Sequence, residues 1–342
     1  MRKAKFTNDQ MLSALHRRAD ALIAAGKFST GSNYASAAAS FALFLRSAER
    51  MGARRFDAAT VRAYDAWLLH VRGISRNSSS FYQRILRATL VASGGDASLF
   101  DDVFTGVEGT RKRAVPEDVI ARLAGLELRG TQEFCRDLFL FSIAARGMAF
   151  VDMAYLLKSD ISGGYIRYVR RKTGRPLSIR IEPCMEALIE KWRSPDRSPF
   201  VFPLISRTGA EGFREFRSGR TLYNLSLKAL GAQVGCAGLS SYVARHTWAT
   251  LAFRAGLPLS TISEGMGHGS ERTTRIYLAS LAPSAVDRAN RLVLQKAGLT
   301  SGTPPYHDKK EGNPLKSKEF PFCTPEANRT PIVGTGIRNS IH

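Results

Sequence analysis

The stretch from Ser240 to Leu278, SSYVARHTWATLAFRAGLPLSTISEGMGHGSERTTRIYL, holds three side chains with wide chemical reach: Arg245, His268 and Tyr277. An arginine presents a planar fork of paired donors to anionic oxygens, a histidine holds or moves a proton, and a tyrosine hydroxyl can form a covalent intermediate. Local signals divide the stretch into three helices. Ser240 or Ser241 caps the first and Gly256 with Pro258 ends it; Ser260 and Thr261 open the second; Gly267-His268-Gly269 breaks it, and Ser270 is placed to cap the third. Tyr277 falls two turns into that last helix. His268 and Tyr277 are nine residues apart, so one unbroken helix, turning about 100° per residue, would set them on opposite sides. A bend at the glycines lets both side chains face one cleft.

The elements that must position these residues come in two blocks. From residue 8 to about 104 the apolar residues recur at helical spacing, as in Leu12, Leu15, Ala19 and Leu22, then Tyr34, Ala38, Phe41 and Leu45, then Val61, Tyr64, Trp67 and Leu68. Breaks are predicted at Gly31-Ser32-Asn33, at Arg55-Phe56-Asp57, at Arg76-Asn77-Ser78-Ser79 and at Gly94-Gly95, giving a domain of four or five helices without strands. The basic, Gly-bearing segment GVEGTRKRAVP, residues 106–116, reads as a linker. Beyond it Glu117 to Leu126 and Glu133 to Leu157 read as helices. Between Gly163 and Ile181 the period changes to two: Tyr165, Arg167 and Val169 alternate with Ile166, Tyr168 and Arg170, and Leu177, Ile179 and Ile181 follow the turn Thr173-Gly174, the pattern of a β-hairpin. Helices resume near Met185 and from Gly219 to Leu230. From about Ser301 the apolar periodicity fades, as in a disordered tail.

Composition limits what these blocks can do. The chain has 342 residues, enough for two cores. Its 50 Lys and Arg outnumber 29 Asp and Glu, a net charge of +21 spread along the sequence, which points to a polyanionic partner, nucleic acid first. No apolar run approaches the roughly 18 to 20 residues of a membrane span, and the N-terminus MRKAKFTNDQ lacks the apolar core of a signal peptide; the chain reads as cytoplasmic and without a membrane partner. Cys135, Cys184, Cys236 and Cys323 lie far apart, with no CxxC pair, and are expected as reduced thiols rather than as a zinc site or a disulfide framework.

The segments ARHTWAT, GMGHGS and TTRIYL resemble, in order and spacing, the signature boxes of the tyrosine recombinases, also called phage integrases, and the resemblance covers most of the chain. It implies a mainly α fold with a small β-hairpin or sheet in the catalytic domain, built as a two-domain C-shaped DNA clamp. Residues 1–105 would be a helical core-binding domain, 106–116 the linker, 117–296 the catalytic domain and 297–342 a disordered tail. The activity implied is site-specific recombination, in which double-stranded DNA is cleaved and rejoined through a 3′-phosphotyrosyl link for integration, excision or inversion. It implies four protomers on two duplexes, helped by accessory DNA-bending proteins, with no metal, nucleotide or other cofactor.

The family's catalytic set is two arginines, a hairpin lysine, two histidines and the nucleophilic tyrosine. By the resemblance Arg245 is the second arginine, His268 the second histidine, Tyr277 the nucleophile and Lys172 the hairpin lysine. Two positions depart from the pattern. Tyr242 stands where the first histidine is usual, and a phenol of ordinary pKa near ~10 is a poor base. Ala149 stands three residues before the acidic Asp152, where the first arginine is expected. Arg146 lies one helical turn earlier, and residues three apart share a helix face, so Arg146 is taken as the first arginine. In these roles Arg146 and Arg245 hold the non-bridging phosphate oxygens, Tyr277 attacks, Lys172 protonates the departing 5′ oxygen, and His268 orients a phosphate oxygen or the tyrosine. His246, Trp248 and Phe253 are expected to pack. The apolar stripe Val286, Ala289, Leu292 and Val293 is expected to dock on a neighbouring protomer. Two alternatives stay open: a type IB topoisomerase-like enzyme that relaxes DNA, and a DNA-binding protein with a decayed catalytic site.

Overall fold

A computed structural model describes residues 5–48, 54–109, 114–270 and 274. Tyr277, the 283–299 stripe and the tail lie outside the described residues. The main division of the chain falls between Thr110 and Arg111, giving two compact units.

In the first unit, α1 (Asn8–Ala24) starts at a reciprocal cap: the Gln10 amide donates to Thr7 Oγ1 at 3.2 Å and the Thr7 amide to Gln10 Oε1 at 2.9 Å. The next helix, α2 (Phe28–Ser47), runs straight through the predicted break at Gly31-Ser32-Asn33. The reason is packing: a Cβ on Gly31 would stand 2.6 Å from Ile23 Cγ1 and 3.0 Å from the Ala19 carbonyl, so the glycine lets α2 lie tightly on α1. Asp57 caps α3 (Ala58–Ala66), which continues into a π-helical turn, Trp67–Val71. Ser75 caps α4 (Arg76–Ala92), so the predicted break at Arg76–Ser79 is instead that helix's first turn. Among the described residues this unit has no strand, only an isolated bridge between Thr7 and Arg55. Its core is aromatic: Phe41, Phe44, Phe56 and Tyr64 are buried together, and the one phenol among them donates to Ser40 Oγ at 2.8 Å.

The second unit is α5 (Glu117–Ala124), α6 (Gly130–Ala144), α7 (Phe150–Ala154), a three-stranded antiparallel sheet in the order β1 (Ile161–Ser162), β2 (Tyr165–Val169), β3 (Pro176–Arg180), then α8 (Pro183–Lys191), α9 (Gly209–Gln233) from Arg214 onward, α10 (Val243–Arg254) and α11 (Leu259–Gly265). In the hairpin Ile166 pairs with Ile179 and Val169 with Pro176; Ile166, Tyr168 and Ile179 turn into the core while Tyr165, Arg167 and Val169 face out, as the period of two requires. Several boundaries differ from the sequence reading. The helix read from Glu133 to Leu157 is two, interrupted between Ala144 and Phe150. The one read from Gly219 is longer, beginning at Gly209. Neither Ser240 nor Ser241 caps α10; Tyr242 occupies its N-cap position. Pro258, with its φ fixed near helical values, precedes Leu259 at the start of α11 ahead of Ser260 and Thr261.

Cys135 is free and buried and Cys184 free and exposed, whereas Cys236, expected as a thiol, is disulfide-bonded. Spacing along a sequence says nothing about which distant residues meet, so this pairing was not readable. Among the described residues no helix is long and apolar enough to cross a membrane.

Candidate active site

The interruption after α6 builds one wall of the site. Ser142 organises it: its carbonyl accepts from the Gly147 and Met148 amides at 2.8 and 3.2 Å, and its hydroxyl donates to the Met148 carbonyl at 2.7 Å. The tight turn puts Arg146 at φ 57 and Gly147 at φ 71. Arg146 is the one described non-glycine residue with positive φ, a conformation that costs an L residue about 1 kcal/mol or more. Gly147 is needed twice over, because a Cβ there would sit 2.8 Å from Arg245 Cα. The expectation that Arg146 and position 149 share one helix face is therefore corrected: Arg146 stands on a left-handed turn and Ala149 is the N-cap of the next helix. From that turn the half-buried Arg146 side chain reaches a cavity of about 560 Å³, bordered also by Arg175, Leu177, Ser178, Thr261 and Glu264.

Arg245 lies at the centre. It is 2% exposed, in the first turn of α10, and its guanidinium donates to the Gly147 carbonyl at 2.7 Å and to the Met266 carbonyl. Nη2 also lies 3.1 Å from His268 Nε2. A guanidinium has no acceptor, so His268 Nε2 accepts and the ring proton sits on Nδ1, where it is donated to Thr274 Oγ1 at 2.7 Å. Burial, followed by the charges of Arg245, Arg170 and Lys172, pushes the imidazole down to about 3. His268 is thus neutral at physiological pH, and the ring steers the guanidinium.

The hairpin supplies the opposite wall. Its turn, Arg170 to Arg175, has Lys172 and Arg175 exposed and Gly174 at φ 68. The turn is tied down at several points. Arg170 Nη1 donates to the Gly267 carbonyl at 2.8 Å and Thr173 Oγ1 to the same carbonyl at 3.1 Å. The Arg171 amide donates to Asp152 Oδ1 at 2.9 Å, and the Arg171 guanidinium lies over the Tyr155 ring at 3.9 Å. Asp152 is itself buried; desolvation pushes its carboxyl up, against the Arg171 amide bond and the charges of Arg170, Arg245 and Arg171. Among the described residues no three His, Cys, Asp or Glu side chains converge as a metal site.

Residues 145–283 match the phage integrase family. The chain carries a phage integrase family domain. Among curated proteins, the chain is similar to the tyrosine recombinases XerA of Saccharolobus solfataricus, 35% identical over 85 residues, and of Pyrococcus furiosus, 26% identical over 190 residues. These alignments cover 25% and 54% of this chain, and 28% and 64% of the respective relatives, so the chain spans less than two-thirds of either. Among solved structures, XerH recombinase in a post-cleavage complex with its palindromic difH substrate aligns with a TM-score of 0.54 and 14% identity, over 78% of this chain and 80% of that one. A lambda integrase (75–356) dimer bound to a COC′ core site aligns with a TM-score of 0.53 and 15% identity, over 78% and 94%. The shared fold is mostly helical with a small antiparallel sheet.

Within the integrase domain, the structure brings Arg146, Arg245, His268 and the Lys172 turn around one region built from the α6–α7 turn, the hairpin and the end of α11. Tyr277 lies outside the described residues. Tyr242, 49% exposed, sets its ring edge-on to His246 with centroids 4.8 Å apart, and Trp248 and Phe253 pack on Ala249, Ala252, Ile262 and Met266. The sequence reading missed Arg170 and took Asp152 only as a marker. The signal for Arg170 was present: it continues the inward phase of Ile166 and Tyr168, so a buried arginine was legible there.

Proposed function

We propose that this protein is a site-specific DNA recombinase that cleaves and rejoins double-stranded DNA through a 3′-phosphotyrosyl intermediate at Tyr277. The observation that carries the reading is Arg245, buried in an integrase-family domain, with its guanidinium fixed by two backbone carbonyls and a neutral imidazole. Such a donor is preorganised for the charge that builds on a phosphate under attack and needs no reorganisation during the reaction. Arg146, at the cavity edge, supplies a second guanidinium to the same phosphate.

In this reading the Tyr277 oxygen forms a bond to phosphorus, its proton passing to water, while the bond to the 5′ oxygen breaks. Lys172, as an ammonium, gives that oxygen its proton and becomes an amine. The phosphotyrosine keeps the bond energy, so rejoining needs no external energy source. In this reading His268 acts by orienting Arg245, a different role from orienting a phosphate oxygen or the tyrosine.

The proposed organisation is a core-binding domain over residues 1–105, a linker at 106–116 and a catalytic domain over 117–296, acting in the cytoplasm as a homotetramer on two duplexes. The net charge of +21 favours a phosphate-dominated grip whose affinity falls steeply with salt. The test is to incubate the protein and a Tyr277→Phe variant with nicked duplexes drawn from the DNA flanking its gene. A denaturation-resistant protein-DNA adduct formed by the unmutated protein alone is expected. Specific binding without any adduct would favour the decayed, non-catalytic alternative, and supercoil relaxation without Holliday-junction products the topoisomerase-like one.

A further inference from the structure

We propose that Arg170 is a positioning residue for Lys172, fastening the hairpin turn to the carbonyl of Gly267 so that the lysine is presented to the leaving oxygen. The inference rests on the recombinase reading and extends it to a residue outside the catalytic set.

Two donors reach one acceptor from either side of Lys172. Arg170 Nη1 and Thr173 Oγ1 lie 2.8 and 3.1 Å from the Gly267 carbonyl. That carbonyl belongs to the residue just before His268, so the tie joins the lysine turn to the segment that steers Arg245. Contact is close along the whole junction: at φ 63, a Cβ on Gly267 would stand 3.2 Å from Arg170 Cδ and 3.1 Å from Leu177 Cδ1. Beside these two donors, the Arg171 amide on Asp152 and the Arg171 guanidinium over Tyr155 hold the turn's first part, while residues 171–176 are all exposed and Gly174 is at positive φ. A lysine on such a loop samples many positions unless the loop is pinned, and a misplaced proton donor loses rate steeply.

Arg170 is 5% exposed, and its Nη1 donates to the Gly267 carbonyl. As mere filling it is the wrong residue, because burying a guanidinium is unfavourable where an apolar chain of similar length would serve. Its charge is also one of those that, after burial, hold the His268 ring low, so the same side chain serves both walls of the site.

The test uses two nicked duplexes that carry the site found with Tyr277→Phe and differ in one atom: oxygen or sulfur bridges the scissile phosphorus to the 5′ carbon. A thiol is far more acidic than an alcohol, so the sulfur substrate leaves without a proton donor. With the full-length protein, Arg170→Ala is expected to slow adduct formation about 10²-fold on the oxygen substrate while staying within about threefold of the unmutated protein on the sulfur one. Lys172→Ala should show the same pattern. The double variant should be no slower than Lys172→Ala alone, as expected when two residues act as a unit. Arg170→Lys, which keeps one donor, should recover part of the rate. Equal loss on both substrates, no loss on the oxygen substrate, or additive losses in the double variant would overturn the proposal. If Arg170→Ala does not fold, Thr173→Val removes the other donor to the same carbonyl and must give the same substrate-selective loss, or the proposal fails. An unmutated protein that makes no adduct with either duplex overturns the recombinase reading itself, a result distinct from all of these.

Discussion

Two regions of the second unit bury arginine, and they do it differently. Arg136, on α6, is surrounded by opposite charge and orphaned carbonyls: Nε donates to Asp137, and Nη1 donates to the carbonyls of Ala124 and Leu126 at 2.9 and 3.0 Å, closing the C-terminus of α5. Lys191 and Trp192 complete the cluster on the other Asp137 oxygen, each at 2.8 Å, and Lys191 also meets Glu133. Two cations face two carboxylates. Around Arg245 the balance is different: two buried guanidiniums, Arg245 and Arg170, share one buried carboxylate, Asp152, and their donors go to backbone carbonyls and a neutral imidazole.

The carboxyls register the contrast. For Asp137 burial pushes upward, but hydrogen bonds from Lys191 and Trp192 and the charge of Arg136 outweigh it and hold the group below its ordinary value. For Asp152 burial wins and the group is held above it. The first arrangement is a closed structural network. The second keeps positive charge in reserve, and on the proposed reading a DNA phosphate is what neutralises it.

The largest effect that would test this distinction is on the reaction. Arg245→Ala is expected to slow adduct formation on the order of 10³-fold, the scale for losing one preorganised donor to a developing oxyanion, measured per folded molecule by single-turnover cleavage. A loss under about tenfold would place Arg245 with Arg136 as a structural arginine. Next is stability. Asp137→Asn strands the Arg136 charge and should cost about 3 kcal/mol in urea unfolding at neutral pH, with the cleavage rate of the folded protein unchanged. Because the folded Asp137 value is lowered, its contribution is present above the unfolded value and lost as pH falls through the folded one; the gap between Asp137→Asn and the unmutated protein should therefore narrow in acid. A gap that instead widened in acid would break the assignment of sign. The smallest expected effect is an absence of titration. With its value pushed down to about 3, the His268 ring should show no midpoint near the ordinary ~6.5 in a proton NMR titration from about pH 5 to 8, and a midpoint there would contradict its role as a neutral acceptor for Arg245.

Much of the candidate site was readable one residue at a time, because the signals are local. The alternation through Tyr165 to Arg170 set the hairpin and left Lys172 in its turn. The Gly-His-Gly run ended α11 before His268, and the helical period placed Arg245 on α10. Where reading failed, a contact between distant parts of the chain had overridden the local signal. Gly31 looked like a helix break and is a packing site, because its missing Cβ is used by Ile23 and Ala19. Arg146 and Gly147 looked like the middle of a helix, as their neighbours Ala144, Ala145 and Met148 are good helix formers. Their left-handed turn is fixed by Ser142 and by Arg245, about a hundred residues away, which leaves no room for a Cβ at position 147.

The sequence by itself determined the kinds of element, the identities of Arg146, Lys172, Arg245, His268 and Tyr277 as candidates, and the positive charge that draws a polyanion. Only the tertiary structure decided how these groups address one another: that His268 is a neutral acceptor, that Arg245 is held by the carbonyls of Gly147 and Met266, and that Arg170 reaches Gly267. The physical reason is that propensity and periodicity act over a few residues, whereas the direction of a hydrogen bond and the sign of a pKa shift depend on which distant carbonyls and charges the folded chain brings within a few ångströms.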